Sequence, residues 1–82
     1  MDEKWSVYML RCGDGTLYTG VAKDVKARLE MHRSGKGAKY TRGRGPLELA
    51  YEEVCQDKGS ALKRECEIKK LTREEKLNLL AK

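Results

Sequence analysis

The chain holds no apolar run approaching the ~18 residues a membrane-spanning helix needs. Its N-terminus, "MDEKWS", lacks the basic-then-apolar shape of a secretory signal, which points to the cytoplasm and away from membranes. The three cysteines, Cys12, Cys55 and Cys66, are an odd number with no C-x-x-C spacing. That argues against a disulfide framework or a zinc site and predicts three reduced, part-buried thiols. Internal repeats and linker-like stretches are also missing. A chain this short buries roughly 60% of its unfolded surface, so it builds one modest core with no second module. The expectation is one domain over residues 1–82.

Hydrophobic residues at 39% and charged residues at 38% fit a folded, very soluble domain and exclude a disordered one. The net charge of +5 comes from 18 Lys and Arg against 13 Asp and Glu. The segment "GKGAKYTRGRGP", residues 35–46, carries Lys36, Lys39, Arg42 and Arg44 with no acidic residue. Removing those four leaves 14 basic residues facing 13 acidic ones. The positive excess therefore sits in one glycine-rich loop, as a local contact with a polyanion requires.

Residues 5–12 and 16–22 are rich in Val, Tyr, Trp and Thr and read as strands. The "GDG" between them predicts a three-residue hairpin, with Gly13 and Asp14 in a type I turn and Gly15 left-handed. An odd loop pairs residues of like parity, which sets Tyr8 opposite Gly20 and Leu10 opposite Tyr18. Trp5, Val7, Met9, Leu17 and Val21 then share a core face. Both tyrosines share the other face, beside the space Gly20 leaves. A two-residue "DG" loop would split the tyrosines and mix the apolar set, so register decides what this hairpin presents.

Asp24 is placed to cap a helix over residues 25–33, with Gly35 as its stop signal. Lys26, Glu30 and Arg33 share its solvent face, Val25 and Leu29 point inward, and Arg28 and His32 lie beside that apolar stripe. Beyond the basic loop, "PLELAYEEVC" alternates Leu47, Leu49 and Tyr51 against Glu48, Ala50 and Glu52, as a half-buried strand does. A helix over residues 58–70 follows, capped by Asp57 or Ser60. "TREE", residues 72–75, is a capping box opening a last helix anchored by Leu77 and Leu80. The expected fold is α/β: a small, largely antiparallel three-stranded sheet flanked by helices in the order β-β-α-β-α-α.

The helix "SALKRECEIKKL" contains an unexpected residue. Its predicted inward stripe is Ala61, Leu62, Cys66 and Ile68, with Glu65 inside the stripe and Lys63, Glu67 and Lys70 outside it. An unpaired carboxylate buried there costs several kcal/mol, so Glu65 needs a partner. Two are open: Lys69 one turn later, or a divalent cation. The other conspicuous residues also have ordinary explanations. Paired cross-strand tyrosines are commonly packing residues. A helix arginine is commonly a solvated charge, and a histidine beside an apolar stripe is commonly a satisfied, part-buried one.

Taken together, in this order and spacing, these residues resemble the GIY-YIG nuclease domain. "VYM" (Val7, Tyr8, Met9) matches the first motif half and "YTG" (Tyr18, Thr19, Gly20) the second. The family's helix arginine matches Arg28 in "VKARLEMH", and the histidine some members carry one turn later matches His32. Its metal-binding glutamate matches Glu65. The match covers nearly the whole chain and is most similar to the small single-domain bacterial members. Glycine is absent from the first motif, where Ser6 and Val7 stand, and Thr19 replaces the isoleucine of the second. Every catalytic residue type is present.

The resemblance implies a cytoplasmic endonuclease acting on DNA, structure-specific in some relatives, in work such as DNA repair. It implies Tyr8, Tyr18, Arg28 and His32 as catalytic residues and Glu65 as the ligand for Mg²⁺ or Mn²⁺. Gly20 would let the backbone approach the scissile phosphate. Lys36, Lys39, Arg42 and Arg44 would grip flanking phosphates, with Tyr40 stacking on a base or sugar. A phenol serving as base must fall roughly 2–3 units below its ordinary pKa of about 10, under neighbouring positive charge. The alternative is a nucleic-acid-binding module that keeps the fold and lacks turnover. A third possibility, a protein-interaction domain, has only the C-terminal helix in its favour.

Overall fold

The computed structural model describes residues 4–36 and 45–80. The chain forms β1 (Trp5–Arg11), β2 (Leu17–Ala22), α1 (Val25–Arg33), β3 (Glu48–Cys55), α2 (Lys58–Lys69) and α3 (Arg73–Leu80). The strands make one antiparallel sheet in the order β2-β1-β3, so β1 is central and β2 is an edge. The expected fold class and element order are those observed.

The hairpin loop is Gly13, Asp14 and Gly15. The Gly15 N–H donates to Cys12 O at 2.9 Å, and Cys12 N–H donates to Thr16 O at 2.9 Å. Gly15 has φ of 87°, a conformation in which glycine alone pays no Cβ penalty. Asp14 fixes the turn by accepting from Thr16 N–H and Oγ1 at 3.1 and 2.6 Å. The resulting register sets Tyr8 opposite Gly20 and Leu10 opposite Tyr18, as the loop length requires.

Each sheet face is covered. On the odd-numbered side Val7 and Met9 pack with Ala61 and Ile68 of α2, and Trp5, Val21, Leu79 and Leu80 close around them. Burying side chains the size of Met9 or Ile68 contributes about 1.5–3 kcal/mol each, more than helix propensity supplies to α2. On the even side Tyr8, Leu10 and Ala22 pack with Val25 of α1, flanked by Tyr18, Leu29 and Leu49. Asp24 caps α1 by accepting from Ala27 N–H at 3.1 Å, and Gly35 ends it with φ of 81°. Arg33 ties this helix to the start of β3 by donating from Nε and Nη2 to Leu47 O at 3.3 and 3.1 Å. In α3, Thr72 and Glu75 make the reciprocal bonds of the capping box, 2.9 and 3.1 Å long.

The structure corrects four expectations. Leu49 and Tyr51 do not share a face: Met9 pairs with Tyr51 and Leu10 with Leu49, leaving Ala50 as an extra residue. A bulge of this kind breaks strict alternation. Leu49 thus joins the tyrosine side and Tyr51 the α2 side. Leu62 and Cys66 are exposed, because α2 rests on its Ala61–Ile68 line rather than on the wider stripe. Of the cysteines, Cys12 is buried and Cys55 half-buried, but Cys66 lies at the surface. Leu79 and Leu80 anchor α3, while Leu77 is 39% exposed.

Candidate functional site

Three elements bring aromatic rings together on the even side of β1. Tyr8 rises from the middle of that strand and is 1% exposed. Tyr18 comes from β2, with its ring centroid 6.4 Å from that of Tyr8. His32, in the last turn of α1, is buried, and its Nε2 lies 3.0 Å from the Tyr8 hydroxyl oxygen. The His32 ring also meets Tyr18 edge-on, with centroids 5.1 Å apart. Arg28, one turn earlier on α1, is exposed, and its positive charge acts on both Tyr8 and His32. Glu65 of α2 also acts on the Tyr8 phenol through its charge. Tyr18 and His32 thus contact Tyr8, and Arg28 and Glu65 act on it through their charges.

Gly20 makes this convergence possible. A Cβ there would stand 2.7 Å from the Tyr8 hydroxyl oxygen, 2.9 Å from its Cζ and 3.2 Å from Tyr18 Cε2. The space is filled by the two phenol rings, so in this structure the glycine serves the tyrosines directly.

Among the groups present, burial dominates the electrostatics of Tyr8. Burial pushes Tyr8 well above the ordinary phenol range, and the Tyr18 phenol adds to the shift. Arg28 opposes it and Glu65 reinforces it. Desolvation wins because the ring lies inside the core, whereas the guanidinium stands in solvent. His32 shifts the other way: burial, and then Arg28, hold its pKa below the ordinary value and favour the neutral imidazole. A neutral ring with its proton on Nδ1 accepts the Tyr8 O–H at Nε2.

Glu65 is half-buried and has the first of its two expected partners. Its Oε2 lies 3.3 Å from Lys69 Nζ, with side-chain exposures of 19% for Glu65 and 57% for Lys69. Among the described residues no three His, Cys, Asp or Glu side chains gather into a metal cluster. The donor set therefore suits a hydrated divalent cation held by one carboxylate, with water and phosphate as its other ligands, and not a closed protein cage.

Lys36 is exposed and follows α1, its N–H donating to Met31 O at 2.9 Å. Lys39, Tyr40, Arg42 and Arg44 lie outside the described residues. Two features escaped the sequence reading. Thr19 is 4% exposed, and its buried Oγ1 has no hydrogen-bond partner among the described residues. Lys69 and Lys76 also line a hollow with Tyr18, and Arg73 joins Lys76 in the adjoining one. Near-neutral charge outside the loop hid that cluster, since its members come from two helices separated by a turn.

A family model described as the GIY-YIG catalytic domain matches residues 4–78. The UPF0213 protein of Staphylococcus aureus strain Mu3 is 57% identical over 74 residues, which span 90% of each chain. The solution NMR structure of the UPF0213 protein BH0048 from Bacillus halodurans is 46% identical. It superposes with a TM-score of 0.62 over 95% of this chain and 83% of that one. The solution NMR structure of the protein EF2693 from E. faecalis, 34% identical, gives a TM-score of 0.62 over 96% and 88% of the two chains. With the matched motif residues gathered around Tyr8, and relatives of this identity and coverage, the chain belongs to the GIY-YIG family of catalytic domains, among its small bacterial members.

Proposed function

We propose that the protein is a metal-dependent endonuclease that hydrolyses phosphodiester bonds in DNA, with branched or otherwise structured DNA as its substrate and the cytoplasm as its location. One observation carries the reading. Tyr8 bonds to His32, packs beside Tyr18 and feels the charges of Arg28 and Glu65, although these groups come from four separate elements.

Phosphodiester hydrolysis needs a nucleophile freed of its proton, and compensation for charge building on the non-bridging oxygens. His32, held neutral, is the proton acceptor. The Tyr8 oxygen takes a proton from the attacking water as the Tyr8 O–H proton passes to His32 Nε2. The water oxygen bonds to phosphorus, the bond from phosphorus to the leaving ester oxygen breaks, and that oxygen takes a proton from solvent. Tyr8 begins and ends as a neutral phenol, so its raised pKa is no obstacle. The proton is left on the imidazolium, which Arg28 disfavours and which gives it up readily afterwards. Tyr18 holds the water and phosphate in line. Arg28 donates through its planar fork to the non-bridging oxygens. Glu65 would hold Mg²⁺ or Mn²⁺, which when bound supplies charge compensation at the phosphate.

The test is incubation with branched, flapped and plain duplex DNA plus Mg²⁺ or Mn²⁺, alongside Glu65→Ala and Tyr8→Phe. Metal-dependent cutting by the parent protein, lost in both variants, is expected. The Glu65–Lys69 ion pair favours a second reading, a nucleic-acid-binding module without turnover, because it leaves the carboxylate already engaged. Binding with no cutting on any of the substrates would establish that reading instead.

A further inference from the structure

Beside the aromatic cluster, β2 and the ends of α2 and α3 frame two adjoining, open-sided hollows. One, of about 330 Å³, is lined by Leu17, Tyr18, Thr19, Lys69 and Lys76. The other, of about 190 Å³, shares Leu17 and Lys76 and extends to Arg73. Sharing those two residues makes them one groove. Three cations line it and, among the described residues, no carboxylate does. Lys76 has no ion-pair partner among the described residues. Arg73 gives one N–H to Gly15 O at 2.9 Å and keeps its remaining donors. None of these cations belongs to the basic segment of residues 35–46.

The groove joins the candidate catalytic site at two residues. Tyr18 both lines it and meets His32 edge-on. Lys69 both lines it and pairs with Glu65. A chain of phosphates passing the Tyr8–Tyr18 cluster therefore enters a channel of the opposite charge. The geometry points to this groove as a phosphate-backbone subsite that holds the nucleic-acid strand on one side of the scissile bond. Lys76 and Arg73 make the contacts, and Lys69 is shared between the strand and Glu65. The assignment rests on the nucleic-acid substrate proposed above. The groove offers cations and shows no set of base-reading groups, so the chemistry recognised is the phosphodiester backbone common to DNA and RNA.

Fluorescence anisotropy in EDTA, so that no cutting intervenes, measures binding of short labelled DNA and RNA strands and a DNA duplex over a salt series. The proteins are the parent, Lys76→Gln, and Arg73→Gln combined with Lys76→Gln. Lys26→Gln combined with Lys63→Gln is the charge-matched control, its residues exposed and outside the groove. Each removed contact is expected to weaken binding roughly fivefold to tenfold near 0.1 M salt and to lower the salt slope by about one. The control should keep the parent slope. Lys76→Gln removes no structural bond and carries the test even where the double variant folds poorly. An unchanged slope in Lys76→Gln, or an equal loss in the control, overturns the groove while leaving the nuclease reading intact. A parent protein that binds none of the strands overturns both. Weaker binding of DNA only, or of RNA only, identifies which backbone the groove holds.

Discussion

The Tyr8 hydroxyl lies 3.0 Å from His32 Nε2, joining the middle of the central strand to the last turn of the helix that covers it. Both groups are buried, so the bond between them stands in for one that each would make to water. Tyr8→Phe should therefore cost about 0.5–1.5 kcal/mol in urea unfolding. The same change should cut phosphodiester hydrolysis by about 10²–10⁴-fold, as loss of a proton-transfer group does. An intact rate in a folded Tyr8→Phe protein would remove Tyr8 from the chemistry.

Gly20→Ala tests the fit of the two phenols. The added Cβ meets Tyr8 atoms at 2.7 and 2.9 Å, and the Tyr8 ring is fully buried. Overpacking of this kind costs about 1–3 kcal/mol, to be read from the urea midpoint at constant m-value. Near-UV spectra should change with it, because the tyrosines move. A Gly20→Ala protein as stable as the parent would show that the rings shift at no cost.

The stability of the fold should depend on His32 as the pH falls below neutral. Burial and Arg28 lower the folded pKa, while an unfolded histidine titrates near 6.5. Below that value the unfolded chain takes up a proton the folded one resists. The stabilisation is therefore complete above about pH 6.5 and is lost as pH falls through the folded value. Glu53, whose pKa is lowered by Tyr51 and Arg64, titrates further into acid and leaves this window clear. Urea midpoints at neutral and mildly acid pH should converge more closely for His32→Gln than for the parent.

Glu65→Ala separates function from fold. The residue is only half-buried, and its ion pair with Lys69 is an i,i+4 pair with one exposed partner, worth about 0.3–0.5 kcal/mol. Stability should move by no more than that, while metal-dependent cutting disappears. Titration with Mn²⁺, followed by paramagnetic broadening of nearby amides, should lose its saturable component in the variant.

Thr19→Val should stabilise the protein. The Thr19 hydroxyl is buried without a hydrogen-bond partner among the described residues, and valine fills nearly the same volume without a polar atom to desolvate. The gain expected is about 1 kcal/mol in denaturant unfolding. A loss of stability would mean that the hydroxyl has a partner after all.

The sequence by itself determined the elements, their order and the hairpin register, because each depends on neighbours a few residues apart. "GDG" sets an odd loop, which fixes like-parity pairing and places Tyr8 beside Tyr18 and opposite Gly20. Asp24 and the Thr72–Glu75 box each satisfy helix N–H groups within one turn. Tertiary structure alone decided how the faces are used. The bulge at Ala50 sends Leu49 and Tyr51 to opposite sides, and no local alternation foretells an unpaired residue in the ladder. It also settled the direction of the Tyr8 shift, since desolvation depends on what surrounds the ring and outweighs the single charge of Arg28. The gathering of Lys69, Arg73 and Lys76 around one groove comes from the same source. Side chains from different helices become neighbours only when both helices pack on the sheet.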